Sequence, residues 1–143
     1  MRRTLYAALL FLVCATPAFA DVLIEGSPGG EAGSFVEFFE QLRRSGQRVV
    51  IDGPCFSACT LVFSIVPRGR ICVTPRALLG FHAARLIDQH GYEYPAPEAT
   101  RVVEATYPAP IRRWISRHGG LTRRPIFLGG RELWAMVPLC RRR

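Results

Sequence analysis

The chain has 143 residues, enough for one domain, and a formal charge of +8 from nineteen basic and eleven acidic side chains. Every basic residue is an arginine. The lack of lysine excludes a phosphate-loop lysine, Schiff-base chemistry and a serine–lysine dyad.

In chain order, the first element is a leader. Met1, Arg2 and Arg3 give a short basic start, residues 5–13 (LYAALLFLV) are apolar but too few to span a bilayer, and Ala18-Phe19-Ala20 is a small-x-small cleavage signal. Residues 1–20 are therefore expected to be a signal peptide and residues 21–143 a single exported domain, periplasmic or secreted. No later run is long and apolar enough to cross a membrane, so the mature chain is expected to be soluble with no transmembrane segment.

Residues 22–25 (VLIE) read as a strand, and Gly26 to Gly30 (GSPGG) as a turn. Phe35, Val36, Phe38, Phe39 and Leu42 then recur at helical spacing, with Gly46 as a stop, and the three phenylalanines are assigned to the core. Residues 48–51 (RVVI) form a β-branched strand, which completes a βαβ unit with a parallel pair. Gly53-Pro54 turns the chain into a buried helix over 57–65 (SACTLVFSI). Strands are expected at 70–73 and 78–82 (LLGFH), a loop over 83–96, and helices over 97–107 and 110–118. Pro110 opens the second of these helices and Gly119 follows its end. A short helix over 130–136 and a strand over 137–140 close the chain. Trp114 and Trp134 are expected in the core or an interface, and His90 and His118 on the surface.

Export changes how the cysteines read. Once Cys14 is removed with the leader, Cys55, Cys59, Cys72 and Cys140 remain, and an even number in an oxidising compartment predicts two disulfides. Four cysteines allow three pairings and the sequence alone does not choose; the preferred one joins Cys55 to Cys59 and Cys72 to Cys140. The CxxxC spacing is not that of a metal knuckle and no histidine stands at ligand spacing, so no metal or cofactor is expected. The arginine excess falls late, at Arg112, Arg113, Arg117, Arg123, Arg124 and the tail. In an exported chain this reads as a solvated basic face, or as one that attracts anionic lipid headgroups or cell-wall polymers, and no nucleic-acid partner is expected.

Chemistry is expected where strands end. In open α/β sheets, sites form at the carboxyl ends of strands, where turns meet helix N-termini. The Pro28-Gly29-Gly30 turn, Ser57 and His82 all fall at such ends. Together they offer a nucleophile, a base and backbone N–H groups for an oxyanion.

The stretches GSPGGEAGSF, GPCFSACTLVF and ALLGFHAA resemble the ClpP protease and crotonase superfamily, and most of all its exported bacterial ClpP-like branch. The resemblance runs from Val22 to Ala84, with a fainter echo at FLGGRELWAM. It implies a compact, truncated α/β fold of ββα-type units, with parallel strands and helices packed around them. It also implies a serine hydrolase or peptidase in which Ser57 is the nucleophile and His82 the base. The N–H groups of Gly30 and Ala58 would form the oxyanion hole. The family's third member, an aspartate just before the segment matching FLGGREL, is missing: residues 123–126 read RRPI. Asp88 and Glu132 are the candidate substitutes. The missing acid leaves open a catalytically inactive ClpP-like protein that binds a peptide or envelope component. Homo-oligomers are within the range the resemblance implies.

Overall fold

The computed structural model describes residues 20–141. The expected leader lies outside the described residues except for Ala20. From Asp21 onward the chain is a mixed α/β fold with parallel strands and helices packed around them, as expected.

The βαβ start is present. β1 (Val22–Ile24) and β2 (Val49–Ile51) run parallel on either side of α1 (Ala32–Ser45). The Glu31 side chain caps α1 by accepting from Gly33 and Ser34, and Gly46 ends it at φ 79°. β4 (Ile71–Val73) adds to β2, giving an all-parallel sheet of order β1-β2-β4.

A second sheet grows from the turn after β2. Gly53 passes so close to the Glu25 carbonyl oxygen that a Cβ would collide with it. That approach turns the chain into β3 (Pro54–Phe56), which pairs parallel with β5 (Leu78–Phe81). β8 (Ile126–Gly129) completes the order β3-β5-β8 by pairing antiparallel with β5. Each ββ run thus gives one strand to each sheet: β2 and β4 to the first, β3 and β5 to the second. α2 (Val62–Ile65), α3 (Pro97–Thr106), α4 (Ala109–Arg117) and α5 (Gly130–Trp134) complete the fold. The core joins Phe39, Val49, Ile51, Leu79, Phe81 and Trp114.

Several expectations are corrected. The helix over 57–65 is a 3-10 turn (Ser57–Leu61) followed by the short α2. The expected loop over 83–96 contains a hairpin of β6 (Arg85–Ile87) and β7 (Glu93–Pro95). The expected strand over 137–140 is a single bridge, Leu139 against Val73. Phe38 is not core: 41% of it is exposed, because α1 turns only the Phe39 and Leu42 side fully inward. Trp114 is buried and Trp134 half-buried. His90 and His118 are exposed, though the His118 ring also stacks on Trp114.

Both preferred disulfides are present, Cys55–Cys59 with Cα atoms 5.3 Å apart and Cys72–Cys140 at 4.9 Å. Among the described residues no helix is long and apolar enough to cross a membrane.

Candidate active site

The parallel pairing of β3 and β5 brings Ser57 and His82 to one edge. Phe56 is in register with Gly80, so Ser57 leaves the end of β3 beside the end of β5, which His82 follows. Adjacent strands lie about 4.8 Å apart, so the two residues belong to one neighbourhood.

Ser57 has an unusual backbone. At φ 53° it is the one non-glycine residue with positive φ among the described residues. An L side chain in this region is strained by roughly 1–2 kcal/mol, and such strain gathers at functional sites. Ser57 thus stands on a strained turn between a strand and a helical segment.

Three sets of contacts hold the strained turn. The first is the glycine loop. Ser27 N–H donates to Pro54 O (2.8 Å) and Phe56 N–H donates to Ser27 O (3.0 Å), which docks residues 27–30 against β3. Gly29, at φ 85°, then lies so close that a Cβ there would sit 2.5 Å from Ser57 Cβ and 2.6 Å from Phe56 O. Only glycine fits. The glycine that touches the serine turn is therefore Gly29. Its N–H is directed to Ser27 Oγ (3.2 Å), whereas the Gly30 N–H has no acceptor among the described residues. The second is the Cys55–Cys59 disulfide, both halves fully buried, which spans Ser57.

The third set went unnoticed in the sequence. Thr60, the one fully buried polar side chain among the described residues, donates from Oγ1 to the Ser57 carbonyl at 2.6 Å. That hydroxyl has one proton, so the Tyr107 hydroxyl, also 2.6 Å away, must be the donor to Thr60. Burial pushes the Tyr107 phenol up to about 12. Tyr107 also packs edge-on against Phe81, the residue before His82. One buried tyrosine thus braces both sides of the edge. The only signal in the sequence was a threonine inside an apolar run.

His82 is half-buried, and its Nδ1 lies 2.7 Å from the Ala83 carbonyl oxygen. A carbonyl only accepts, so this bond puts the proton on Nδ1 and leaves the Nε2 lone pair available as a base. No hydrogen bond joins Ser57 to His82 among the described residues, and none joins His82 to a carboxylate.

The two candidate acids lie elsewhere. Asp88 organises the β6–β7 turn, accepting from the N–H groups of His90 and Tyr92 and from the Tyr94 hydroxyl. Partial desolvation works to raise its pKa, but these bonds outweigh that and hold it below the usual range. Glu132 is exposed in the first turn of α5. The first two N–H groups of the 3-10 turn, Ser57 and Ala58, start a segment with no side-chain cap.

A cleft of about 500 Å3 begins at Ala83 and Ala84, immediately after His82. Its other walls come from the β6–β7 hairpin, α3 and residues 120–123.

No protein-family model matches the chain, and no curated protein matches it. Among solved structures it is similar to a point mutant of ClpP1 from Listeria monocytogenes. The identity is 17% and the TM-score 0.40, over 80% of this chain and 85% of that one.

Proposed function

We propose that the chain is an exported ClpP-like serine hydrolase, acting as a peptidase, with Ser57 as nucleophile and His82 as general base. The observation that carries this reading is the positive φ of Ser57 at the end of β3, whose parallel partner β5 leads into His82. A strained backbone is retained where its neighbours over-determine it, and here Gly29, the disulfide and Thr60 all do so.

In the proposed reaction Ser57 Oγ attacks a substrate carbonyl while its proton passes to His82 Nε2. The N–H groups of Gly30 and Ala58 receive the developing oxyanion. The imidazolium then gives that proton to the leaving group, and water releases the acyl group from Ser57 by the reverse sequence. The Ala83 carbonyl takes the orienting role that a carboxylate plays in a full triad. It sets the tautomer, but as a neutral dipole it stabilises the imidazolium less, so turnover is expected to be slow.

The test is labelling of the oxidised, folded protein by a fluorophosphonate, with Ser57→Ala as control. Labelling that disappears in the variant supports the reading. No labelling of a protein with native circular dichroism removes it. A second reading, a ClpP-like protein that binds a peptide or envelope component without turnover, draws on the absence of a Ser57–His82 bond and of a carboxylate at His82 among the described residues. It gains if Ser57→Ala leaves the deletion phenotype rescued.

A further inference from the structure

The cleft next to His82 carries an uneven set of charges. Five charged side chains line it: Arg85, Glu93, Arg101, Glu104 and Arg123. Arg85 is paired with Glu93 across the hairpin, and Arg101 with Glu98 on α3. Glu104 and Arg123 remain. Neither has an ion pair or a side-chain hydrogen bond among the described residues, so they are also not paired with each other. One wall therefore offers a carboxylate and another a guanidinium, with an apolar surface of Tyr94, Pro95 and Leu121 in the same cleft.

The two walls are tied to adjacent residues, one each. Ala83 N–H donates to the Thr122 carbonyl (2.8 Å), immediately before Arg123. Ala84 N–H donates to Thr100 Oγ1 (3.0 Å), and Glu104 stands one turn further along α3, about 6 Å up the helix axis. The two charges are thus set on separate anchored elements.

We propose that this cleft binds a short peptide as its zwitterion, with the terminal carboxylate on Arg123 and the free amino group on Glu104. Opposite unpaired charges on separate walls favour a ligand that carries both signs at its ends. The two charges stand on separate elements of the cleft, and a peptide of two or three extended residues carries its terminal charges roughly 7–10 Å apart. This binding requires no step of the Ser57 chemistry, so it stands or falls separately from the hydrolase reading.

The experiment is calorimetric titration of the full mature Ser57→Ala protein, which excludes turnover, with an Ala-Leu-Ala tripeptide. The free peptide is compared with its N-acetylated and its C-amidated forms. Each block is expected to weaken binding about fivefold, the scale of one solvent-accessible ion pair. In Arg123→Gln, amidation should no longer matter while acetylation still does. In Glu104→Gln the pattern should reverse. Both side chains are outside the core, and a native circular dichroism spectrum verifies each variant. The proposal is overturned if the free tripeptide does not bind at millimolar concentration. It is equally overturned if the blocked forms bind as well as the free one, or if either variant leaves both discriminations intact.

Discussion

Replacing Thr60 by valine tests the brace behind the candidate nucleophile while nearly keeping its shape. The change removes the bond to the Ser57 carbonyl and the acceptor of the Tyr107 hydroxyl, both 2.6 Å contacts. Two hydrogen bonds are worth about 1 kcal/mol each in net terms, and the stranded, buried phenol adds a further penalty of about 1 kcal/mol or more. The expected cost is about 3 kcal/mol, a large share of the roughly 5–15 kcal/mol that holds a domain together. Urea unfolding should show a lower midpoint at an unchanged slope. Tyr107→Phe alone should cost less, because it leaves no orphaned hydroxyl at position 107. The double variant Thr60→Val/Tyr107→Phe should then be more stable than the two single costs predict, by about 1 kcal/mol. Thr60→Ser, which keeps the hydroxyl, should retain fluorophosphonate labelling, and Thr60→Val should lose most of it. A Thr60→Val cost below about 0.5 kcal/mol, or simple additivity in the double variant, would refute the argument.

Tyr107 should also limit stability in alkali. Its folded pKa of about 12 exceeds the ordinary value of 10, so between these values the unfolded chain has released a proton that the folded chain keeps. Stability is fully present below pH 10 and falls from there to pH 12 by at most about 3 kcal/mol, and Tyr107→Phe should flatten urea midpoints measured across that window. Ser57→Gly should stabilise the protein by roughly 1 kcal/mol by relieving the φ of 53°, while abolishing labelling; a destabilised variant would contradict the strain argument. Removing the Cys72–Cys140 pair by double serine substitution, a link across a separation of 68, should cost about 4 kcal/mol by chain entropy, and removing Cys55–Cys59, across 4, about 2 kcal/mol. The order should invert for labelling, which the smaller link should affect more.

Much of the architecture was legible where burial leaves a one-dimensional pattern. The β-branched runs gave β1, β2 and β4, Gly46 marked the end of α1, and Pro110 marked the first turn of α4. The missed strands share a reason. β3 has three residues and opens on proline, so it reads as a turn until Phe56 is seen pressed on Gly80. β6 and β7 are exposed on both faces, with Leu86, Ile87, Tyr92 and Tyr94 all open to solvent, so no alternation marks them. The partnership of Leu139 and Val73 is non-local, and only the Cys72–Cys140 pairing hinted at it.

The candidate site divides in the same way. Ser57 and His82 stood out through the resemblance and because each follows a run read as a strand; in the structure each follows the end of one strand of the parallel pair β3 and β5. What could not be read is whatever depends on contacts between distant segments. Gly29 rather than Gly30 carries the steric demand, since the docking of residues 27–30 on β3 brings it so close that a Cβ there would sit 2.5 Å from Ser57 Cβ. Thr60 has its hydroxyl partnered by Tyr107, 47 residues away, a contact that no local pattern marks. The consequence is a division of labour along the edge. The strand ends carry the candidate reacting groups, and the Gly29 contact, the Cys55–Cys59 link and the Thr60–Tyr107 pair each oppose relaxation of the same strained turn. A turn held from three sides can keep a serine at positive φ that no single one of these contacts would hold.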